Sequence, residues 1–318
     1  MATIGIDLGG TNIAAGVVDE QYRIIGRAKL KTNLPRPQEE ILHDLCEVAR
    51  MAAADAGLAL SDIEWVGVGS PGTVNSDEGI VEYSNNIKFV RADIRGAIRK
   101  ELDLPCYVAN DANAAAYGEL MAGAGKGARD FVAITLGTGV GGGVVMGGVM
   151  LCGFNFAGGE LGHSVMIKDG EPCTCGRKGC FESYASATAL IRQTKRAMEA
   201  HPESSMWALC EGTLDNAGGR TAFDGLRQGD PAATKVVRQY IDYLAVGLVN
   251  IVNIFQPSIL CIGGGISNEK DEYLLMPLRE QVEKHSYGAD YLDKKTQVVR
   301  AALGNDAGII GAALLGNL

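Results

Sequence analysis

The chain has 318 residues, of which 47% are hydrophobic and 21% are charged, and its 38 acidic and 29 basic side chains give a formal net charge of -9. This composition predicts a globular protein large enough for two lobes, and the surplus of acids disfavours binding to nucleic acid. The first seven residues lack the basic segment that opens a secretory signal, so we expect a cytoplasmic location.

Apolar runs at the start of the chain predict two strands, at residues 4–8 and 13–18, and a third at residues 24–30. The turn between the first two reads Asp-Leu-Gly-Gly-Thr-Asn, from residue 7 to residue 12. Backbone amides and a hydroxyl in such a turn are suited to cradle phosphate oxygens, although one glycine-rich turn in isolation is more often an ordinary hairpin. Residues 38–57 then show helical spacing of apolar side chains and end on a glycine.

Strands and helices alternate over the next part of the chain. The pattern predicts a strand at residues 65–69, a helix at 93–102, a strand at 106–109 and a helix that runs toward residue 119. Asn110 and Asp111 stand where the last helix begins. An Asp here is either a helix cap or the carboxylate that accepts a proton from an alcohol in phosphoryl transfer, and Asn110 is an equally good cap.

Residues 131–159 contain no charged side chain, but ten glycines interrupt them. Because glycine costs a helix about 1 kcal/mol relative to alanine, strands at 131–136 and 141–146 are favoured over a membrane-spanning helix. The turn between them, Gly137-Thr138-Gly139, is a second candidate phosphate cradle. Two such turns favour phosphate binding over a pair of plain hairpins.

One imidazole and three thiols, at His163, Cys173, Cys175 and Cys180, have the composition and spacing of a closed structural zinc site. A reduced thiol cluster and a zinc ribbon that binds nucleic acid are the alternatives, and the acidic charge disfavours the ribbon. The remaining cysteines are predicted to be small buried side chains without disulfides: Cys46, Cys106, Cys152, Cys210 and Cys261.

Helical spacing predicts further helices at residues 186–199, 231–255, 273–284 and 307–315. A strand at 259–262 ends in Gly263-Gly264-Gly265, which by itself is consistent with a plain strand-to-helix turn. Residues 200–229 show no pattern that predicts an element.

These motifs together resemble the superfamily of sugar kinases, actin and heat-shock chaperones, through residues 7–11, 137–139 and 263–265. The zinc loop at 160–182 further resembles the ROK family (repressors, open reading frames, sugar kinases), most closely its bacterial ATP-dependent glucokinases. The resemblance covers nearly the whole chain. It implies an α/β, two-lobe, actin-like ATPase (ribonuclease H-like) fold with a structural zinc loop.

The implied small lobe is 1–117, against which a C-terminal helix at 304–318 packs, and the implied large lobe is 118–303. The resemblance further implies ATP-dependent phosphorylation of the 6-hydroxyl of a hexose, most simply glucose, with Mg²⁺ and structural zinc as cofactors, by a homodimer or homotetramer. Asp111 would be the catalytic base. The other sugar contacts would be Gly72, Asn86, Asn110, Glu160, His163 and Glu182. The contacts to nucleotide and Mg²⁺ would be Asp7, Gly9, Gly10, Thr11, Asn12, Gly137, Thr138, Gly139, Gly264 and Gly265.

Other substrates and functions stay open. N-acetylmannosamine, N-acetylglucosamine, mannose and fructose are alternative sugars, and polyphosphate is a less favoured donor because the chain is acidic and keeps its third glycine motif. A DNA-binding repressor is disfavoured because only six residues precede Asp7, and a non-catalytic sugar sensor is the alternative of another class. The sugar-loop pattern Asn-x-x-Trp of the family is here Asn86-Ile87-Lys88-Phe89, with Phe in place of Trp.

Overall fold

The structure is a computed structural model that describes residues 2–318. The contacts between residues divide the chain into two compact units, each of which contains both helices and strands. The first comprises Met1–Ala133, Gly143–Gly159 and Ala301–Leu318, and the second comprises Ile134–Gly142 and Glu160–Arg300. The lobe limits that the sequence predicts, 1–117 and 118–303, stay a prediction.

The first unit is built on a five-stranded sheet with the strand order β3-β2-β1-β4-β8. Its elements up to residue 122 are β1 (Ala2–Leu8), β2 (Asn12–Val18), β3 (Ile24–Lys31), α1 (Gln38–Asp55), β4 (Ile63–Ser70), β5 (Thr73–Asn75), β6 (Ile80–Ser84), β7 (Phe89–Asp93), α2 (Ile94–Leu102), β8 (Cys106–Asn110) and α3 (Asp111–Ala122). β1 pairs antiparallel with β2 and parallel with β4, which pairs parallel with β8. The carboxyl ends of β1, β4 and β8 therefore lie side by side.

The remaining elements follow in chain order: β9 (Phe131–Leu136), β10 (Val140–Met146), β11 (Val149–Met150), α4 (Glu182–Ala185), α5 (Ala187–Ala200), α6 (Met206–Leu209), α7 (Thr221–Arg227), α8 (Pro231–Phe255), β12 (Ile259–Gly263), α9 (Leu275–His285), β13 (Gln297–Arg300) and α10 (Ala307–Ala313). The second sheet has the order β11-β10-β9-β12-β13. The glycine-rich segment thus forms strands, as its composition predicts. Among residues 2–318, no helix is long and apolar enough to cross a membrane.

Helices cover the central strands of the first sheet. Leu45 and Ala49 of α1 belong to the same buried apolar cluster as Ile4 of β1, and α10 packs on β1 and β4. This second contact is so close that a side chain on Gly5 would place its Cβ 1.9 Å from the carbonyl oxygen of Ile309. Because both faces are covered, β1 is almost continuously apolar, and that run is the signal that predicts it.

Several elements depart from the sequence prediction. The helix predicted from residue 93 begins at Ile94, because the Asp93 carboxylate caps it and accepts a hydrogen bond from the Gly96 amide. The helix predicted from residue 273 begins at Leu275. Eight elements were not predicted: β5, β6 and β7, which form a three-stranded sheet, the short strands β11 and β13, and the short helices α4, α6 and α7. Cys152 is half-buried, unlike the other four cysteines outside the zinc loop.

A buried carboxylate ties together three segments of the first unit. Glu119 of α3 is 3% exposed. Its Oε2 accepts hydrogen bonds from the amides of Ala124 (3.0 Å) and Ala302 (2.9 Å), and its Oε1 accepts one from the amide of Leu303 (2.7 Å). These bonds hold α3 to the segment that leads into α10, and they balance the cost of burying a charge.

Candidate functional site

Two carboxylates lie at the carboxyl ends of parallel strands in the first unit. Asp7 is paired with Gly69 of β4, and β4 is paired in turn with β8, which ends at Asn110 directly before Asp111. Burial raises the pKa of Asp7 to about 6, and the charge of Asp111 adds to the shift. Burial also raises the pKa of Asp111. Two acids whose ionised forms are disfavoured by their surroundings are typical of a catalytic or cation-binding site.

Asn110, and not Asp111, caps helix α3. The Asn110 Oδ1 accepts hydrogen bonds from the amides of Ala112 (3.0 Å) and Asn113 (3.3 Å). Its Nδ2 donates to the carbonyl oxygen of Gly72 at 3.1 Å, which fixes the turn that follows β4. Because Asn110 fills the cap, Asp111 is not needed for that role, although it also accepts a hydrogen bond from the Ala112 amide (2.8 Å). The sequence left the cap open between these two residues, and the geometry favours the chemical role for Asp111.

The first glycine turn is held by backbone and hydroxyl contacts. The Gly9 amide donates to the carbonyl oxygen of Asn12 (2.9 Å), and the Thr32 hydroxyl donates to the carbonyl oxygen of Gly9 (2.7 Å). Gly10 and Thr11 lie exposed at the tip. The Asn12 Oδ1 is buried without a hydrogen-bond partner among residues 2–318. An exposed tip above an orphaned polar atom suits a bound polar ligand or its hydration.

The predicted zinc ligands come together in the second unit. Within residues 2–318, the ligand atoms of His163, Cys173, Cys175 and Cys180 all lie within 4.8 Å of one another. The His163 Nδ1 is 3.6 Å from the Cys173 Sγ, and the sulfurs of Cys175 and Cys180 are 3.7 Å apart. Two sulfurs that each bind a tetrahedral zinc at about 2.3 Å lie about 3.8 Å apart, so this spacing fits such an ion. No disulfide links these cysteines.

The thiols of this cluster differ in how easily they ionise. The backbone amide of Arg177 is the largest influence that lowers the pKa of Cys175, to about 6. Burial raises the pKa of Cys180 to about 12, and a bound divalent cation would reverse that effect because it stabilises the thiolate. The donor set is thus one imidazole and thiols of which one already favours the anionic form, which matches the preference of zinc.

Glu182 connects this cluster to the second glycine turn. Its Oε2 accepts a hydrogen bond from the Val140 amide at 3.0 Å, and its Oε1 accepts one from the Thr174 hydroxyl at 3.1 Å. A Cβ at Gly139 would come within 2.2 Å of the Glu182 Oε2, so only glycine allows this approach. The sequence predicts Glu182 as a sugar contact, and nothing in its spacing predicts the contact to the turn.

The start of α5 also holds the second glycine turn in place. The carbonyl oxygen of Gly137 accepts from the Ala187 amide, and that of Thr138 accepts from the Thr188 hydroxyl, both at 2.8 Å. The third glycine motif forms the tight turn after β12: a Cβ on Gly264, where φ is +86°, would lie 2.5 Å from the Leu136 carbonyl oxygen, whereas one on Gly265 would meet open space. The motif is therefore required at least as a turn.

The remaining predicted residues lie at the surface or in the core. Asn86 is exposed in the turn between β6 and β7, and Glu160 is exposed directly before the 3₁₀ turn that carries His163. Phe89, which replaces the Trp of the family pattern, is 0% exposed and belongs to the apolar core of the first unit. It is a packing residue in this structure and does not line an open surface.

A family profile described as the ROK family matches residues 3–317. The chain belongs to the ROK family. Among curated proteins, this ROK protein is 38% identical over 313 residues to a glucokinase of Streptomyces coelicolor, covering 98% of this chain and 96% of the relative. It is 37% identical to a glucokinase of Thermotoga maritima, with 98% and 95% covered.

A crystal structure of a ROK family glucokinase from Streptomyces griseus, in complex with glucose and AMPPNP, matches with a TM-score of 0.82 and 37% identity, and 99% of each chain is covered. The resemblance to the ROK family on which the sequence analysis relies is confirmed.

Proposed function

We propose that this ROK protein is a sugar kinase that transfers the γ-phosphate of ATP to the 6-hydroxyl of glucose. The observation that carries the proposal is the pair of acids with raised pKa values, Asp7 and Asp111, at the carboxyl ends of neighbouring parallel strands. Full-length similarity to glucokinases supports it. The strand order β3-β2-β1-β4-β8 supports an actin-like, ribonuclease H-like fold for the first unit.

In this proposal Asp111 is the general base. It orients the 6-hydroxyl and accepts its proton as the bond to phosphorus forms, while the bond between the γ-phosphorus and the bridging oxygen breaks and ADP leaves. Burial raises the pKa of Asp111 toward the working pH, which makes its carboxylate a better base than an exposed one. Asn110 holds the start of α3 and the Gly72 turn, and so fixes the position of Asp111.

Asp7 and the first two glycine turns would bind the nucleotide. The exposed tip at Gly10 and Thr11 offers amides and a hydroxyl for phosphate oxygens, as does the turn at Thr138. Gly264 and Gly265 would adjoin the adenosine. Asp7 would hold Mg²⁺, which supplies charge that offsets the negative phosphates when it is bound.

The zinc loop would orient the sugar without taking part in the chemistry. His163 faces the cysteines through Nδ1, which leaves Nε2 to meet a sugar hydroxyl beside Glu160 and Glu182. A site built from such polar groups penalises a sugar that lacks or inverts the matching hydroxyl, because buried polar atoms are then left unpaired. This is the physical basis for proposing glucose over its epimers, 2-acetamido sugars and fructose. The same proposal includes a cytoplasmic, glycolytic role for a homodimer or homotetramer.

The test is ADP release by the purified protein from Mg-ATP with glucose, mannose, fructose, N-acetylglucosamine and N-acetylmannosamine, with polyphosphate replacing ATP in parallel. We expect turnover dominated by glucose with ATP. A preference for another sugar would keep the mechanism and reject glucose as the substrate. Binding of sugars without turnover of any would reject the kinase in favour of a sugar sensor.

A further inference from the structure

A cavity of about 280 Å³ lies in the second unit, and neither the glycine turns nor the proposed zinc ligands line it. Side chains of α5 and α8 form two of its walls, and Glu171 and Tyr184 close it from the zinc loop and α4. This volume is close to the lower limit of about 300 Å³ for small-molecule sites, so any ligand must be a compact one. Nothing in the proposed kinase mechanism uses it.

The cavity is basic in a chain that is acidic overall. Arg192 and Arg196 of α5 and Lys235 of α8 line it, against the single carboxylate of Glu171. Glu171 pairs with Arg196 at 2.5 Å and lies 3.6 Å from the Arg192 Nε. Lys235 has no acid within 4.0 Å in the part of the chain that is described. The side chains that line this concave surface therefore carry more positive than negative charge, which favours an anion.

Two neighbouring lining residues also keep unused polar atoms. The Arg192 Nε and the Gln193 Oε1 are buried without a hydrogen-bond partner among residues 2–318. Their other polar atoms fix both side chains, because Arg192 Nη2 donates to the Ser183 carbonyl oxygen and Gln193 Nε2 donates to that of Tyr184 at 2.9 Å. Both side chains are therefore held in place at the wall of the cavity.

Aromatic rings complete the cavity. The ring centroids of Tyr184 and Tyr243 are 4.8 Å apart, with an angle of 49° between the ring planes. The Tyr184 Oη accepts a hydrogen bond from the Glu171 amide at 2.7 Å, and the Tyr243 Oη accepts one from Gln239 at 3.2 Å. Ring faces beside cations provide an apolar surface for carbon atoms next to a strong anion site.

We propose that this cavity binds a small organic phosphate monoester, whose phosphate contacts Arg192, Arg196 and Lys235 and whose carbon skeleton lies against Tyr184 and Tyr243. A phosphate matches the positive lining, and guanidinium groups bind phosphate through paired hydrogen bonds. A free inorganic phosphate shares the charge but lacks the part that contacts the rings.

The cavity is joined covalently and by hydrogen bonds to the zinc loop. Glu171 precedes the ligand Cys173 by two residues, and Tyr184 follows Glu182 by two. The Ser183 hydroxyl also donates to the Pro172 carbonyl oxygen at 3.0 Å. A ligand that takes over contacts of Arg192 and Arg196 therefore changes the restraints on the middle of the loop, at Glu171, and on its carboxyl-terminal end, at Ser183. This regulatory part rests on the proposed function, since it predicts a change in the KM for glucose.

The test is isothermal titration calorimetry of the full chain with glycerol 3-phosphate and, separately, with inorganic phosphate. Glucose and AMPPNP are present throughout to occupy the proposed catalytic site. We expect one glycerol 3-phosphate per chain, and we expect Lys235→Gln to weaken its binding by about tenfold, as for loss of one charge-assisted contact. Arg238→Gln is the matched control, because Arg238 is exposed one turn further along α8 and does not line the cavity.

Unaltered binding in the Arg238 variant, with weakened binding in the Lys235 variant, supports the site. Absence of binding to the unaltered chain, or equal losses in both variants, overturns it. Inorganic phosphate that binds as tightly as glycerol 3-phosphate overturns the role of the tyrosines. A glycerol 3-phosphate effect on the KM for glucose that Lys235→Gln abolishes supports the regulatory link. Calorimetry does not require turnover, so a failed kinase assay and a failed ligand site are distinguishable.

Discussion

The acid pair of the first unit and the zinc loop of the second are held in place by different forces. Asp7 and Asp111 stand at the ends of strands whose register is set by main-chain hydrogen bonds of the sheet. The segment of residues 151–181 has only one 3₁₀ turn, at Leu161–His163, and two isolated bridges as regular structure. Its shape depends on side chains, four of which are the proposed zinc ligands.

This difference teaches that the two regions should respond differently to the loss of one side chain. A residue at a strand end can be replaced without moving its neighbours, because the sheet carries the geometry. A metal-binding residue in a loop cannot be replaced without moving its neighbours, because a structural ion contributes directly to folding of the segment that binds it. Substitutions in the acid pair should change chemistry at constant fold, and substitutions in the loop should change both.

The largest effect is expected for Asp111→Asn. The amide cannot accept the hydroxyl proton, so we expect turnover with glucose to fall about 10³-fold while the affinities for glucose and AMPPNP stay within a few-fold. Steady-state kinetics and calorimetry measure the two. Asp103→Asn, at an exposed residue after α2, is the control and should keep full activity. Turnover above one tenth of the original in the Asp111 variant would contradict its role as base.

Cys175→Ser should affect sugar selection and stability together. Loss of one thiolate ligand should lower the zinc content well below one per chain, lower the Tm and raise the KM for glucose about 10-fold or more, because His163 is no longer oriented. Elemental analysis, thermal unfolding and kinetics measure these quantities. Cys210→Ser, at a buried thiol that contacts Thr221, is the control for zinc content. An unchanged KM after verified loss of zinc would refute the coupling.

Glu182→Gln should weaken the binding of both substrates, by less than Cys175→Ser weakens the binding of glucose. The amide has one oxygen, so it cannot accept from both the Val140 amide and the Thr174 hydroxyl in the present geometry. We expect the KM for glucose and for ATP each to rise about 5- to 10-fold, as for loss of one hydrogen bond to a charged group. Thr174→Val removes only the loop contact and should leave the KM for ATP nearly unchanged. Glu182→Gln kinetics in which only glucose is affected would argue against the link to the turn.

The last prediction concerns the pH dependence of the free energy of unfolding, to which Asp7 contributes. Its pKa is raised to about 6 in the fold, so the folded chain binds more protons than the unfolded chain between about pH 4 and 6, and the contribution of Asp7 to stability falls as the pH rises through that range. Asp7→Asn should therefore stabilise the ligand-free chain at pH 7 by about 1–3 kcal/mol. Chemical denaturation at pH 7 and pH 5 should show this gain shrink at the lower pH. A gain that is constant or larger at pH 5 would show that the shift is absent.

Sequence alone predicts the parts of the fold that are long or periodic. β1 and α1 are found where their patterns place them, because a strand covered on both faces and an 18-residue helix leave clear signals. The sheet β5-β6-β7 has no recognisable sequence pattern, because its strands have three to five residues each and expose Tyr83 and Val90. α6 and α7, of four and seven residues, are too short for helical spacing to emerge.

The candidate site divides in the same way. The spacing of the zinc ligands predicts that their side chains come together. The ligands lie within 18 residues of one another, and binding of one ion by all four leaves few conformations for so short a segment. No spacing predicts the contact of Glu182 with the amide of Val140, since it joins segments 42 residues apart. Nor does a pattern predict that Phe89 is a core residue, because that depends on which side of β7 the unpredicted sheet turns inward.

The carboxylate of Glu182 has one oxygen on the loop proposed to hold the sugar and the other on the turn proposed to hold the nucleotide. If each ligand favours the same placement of this side chain, the two binding events share a free energy. Thermodynamic linkage then requires that glucose tighten AMPPNP binding by the same factor by which AMPPNP tightens glucose binding. One side chain would thereby make the two substrates bind cooperatively, although each contacts a different segment of the chain.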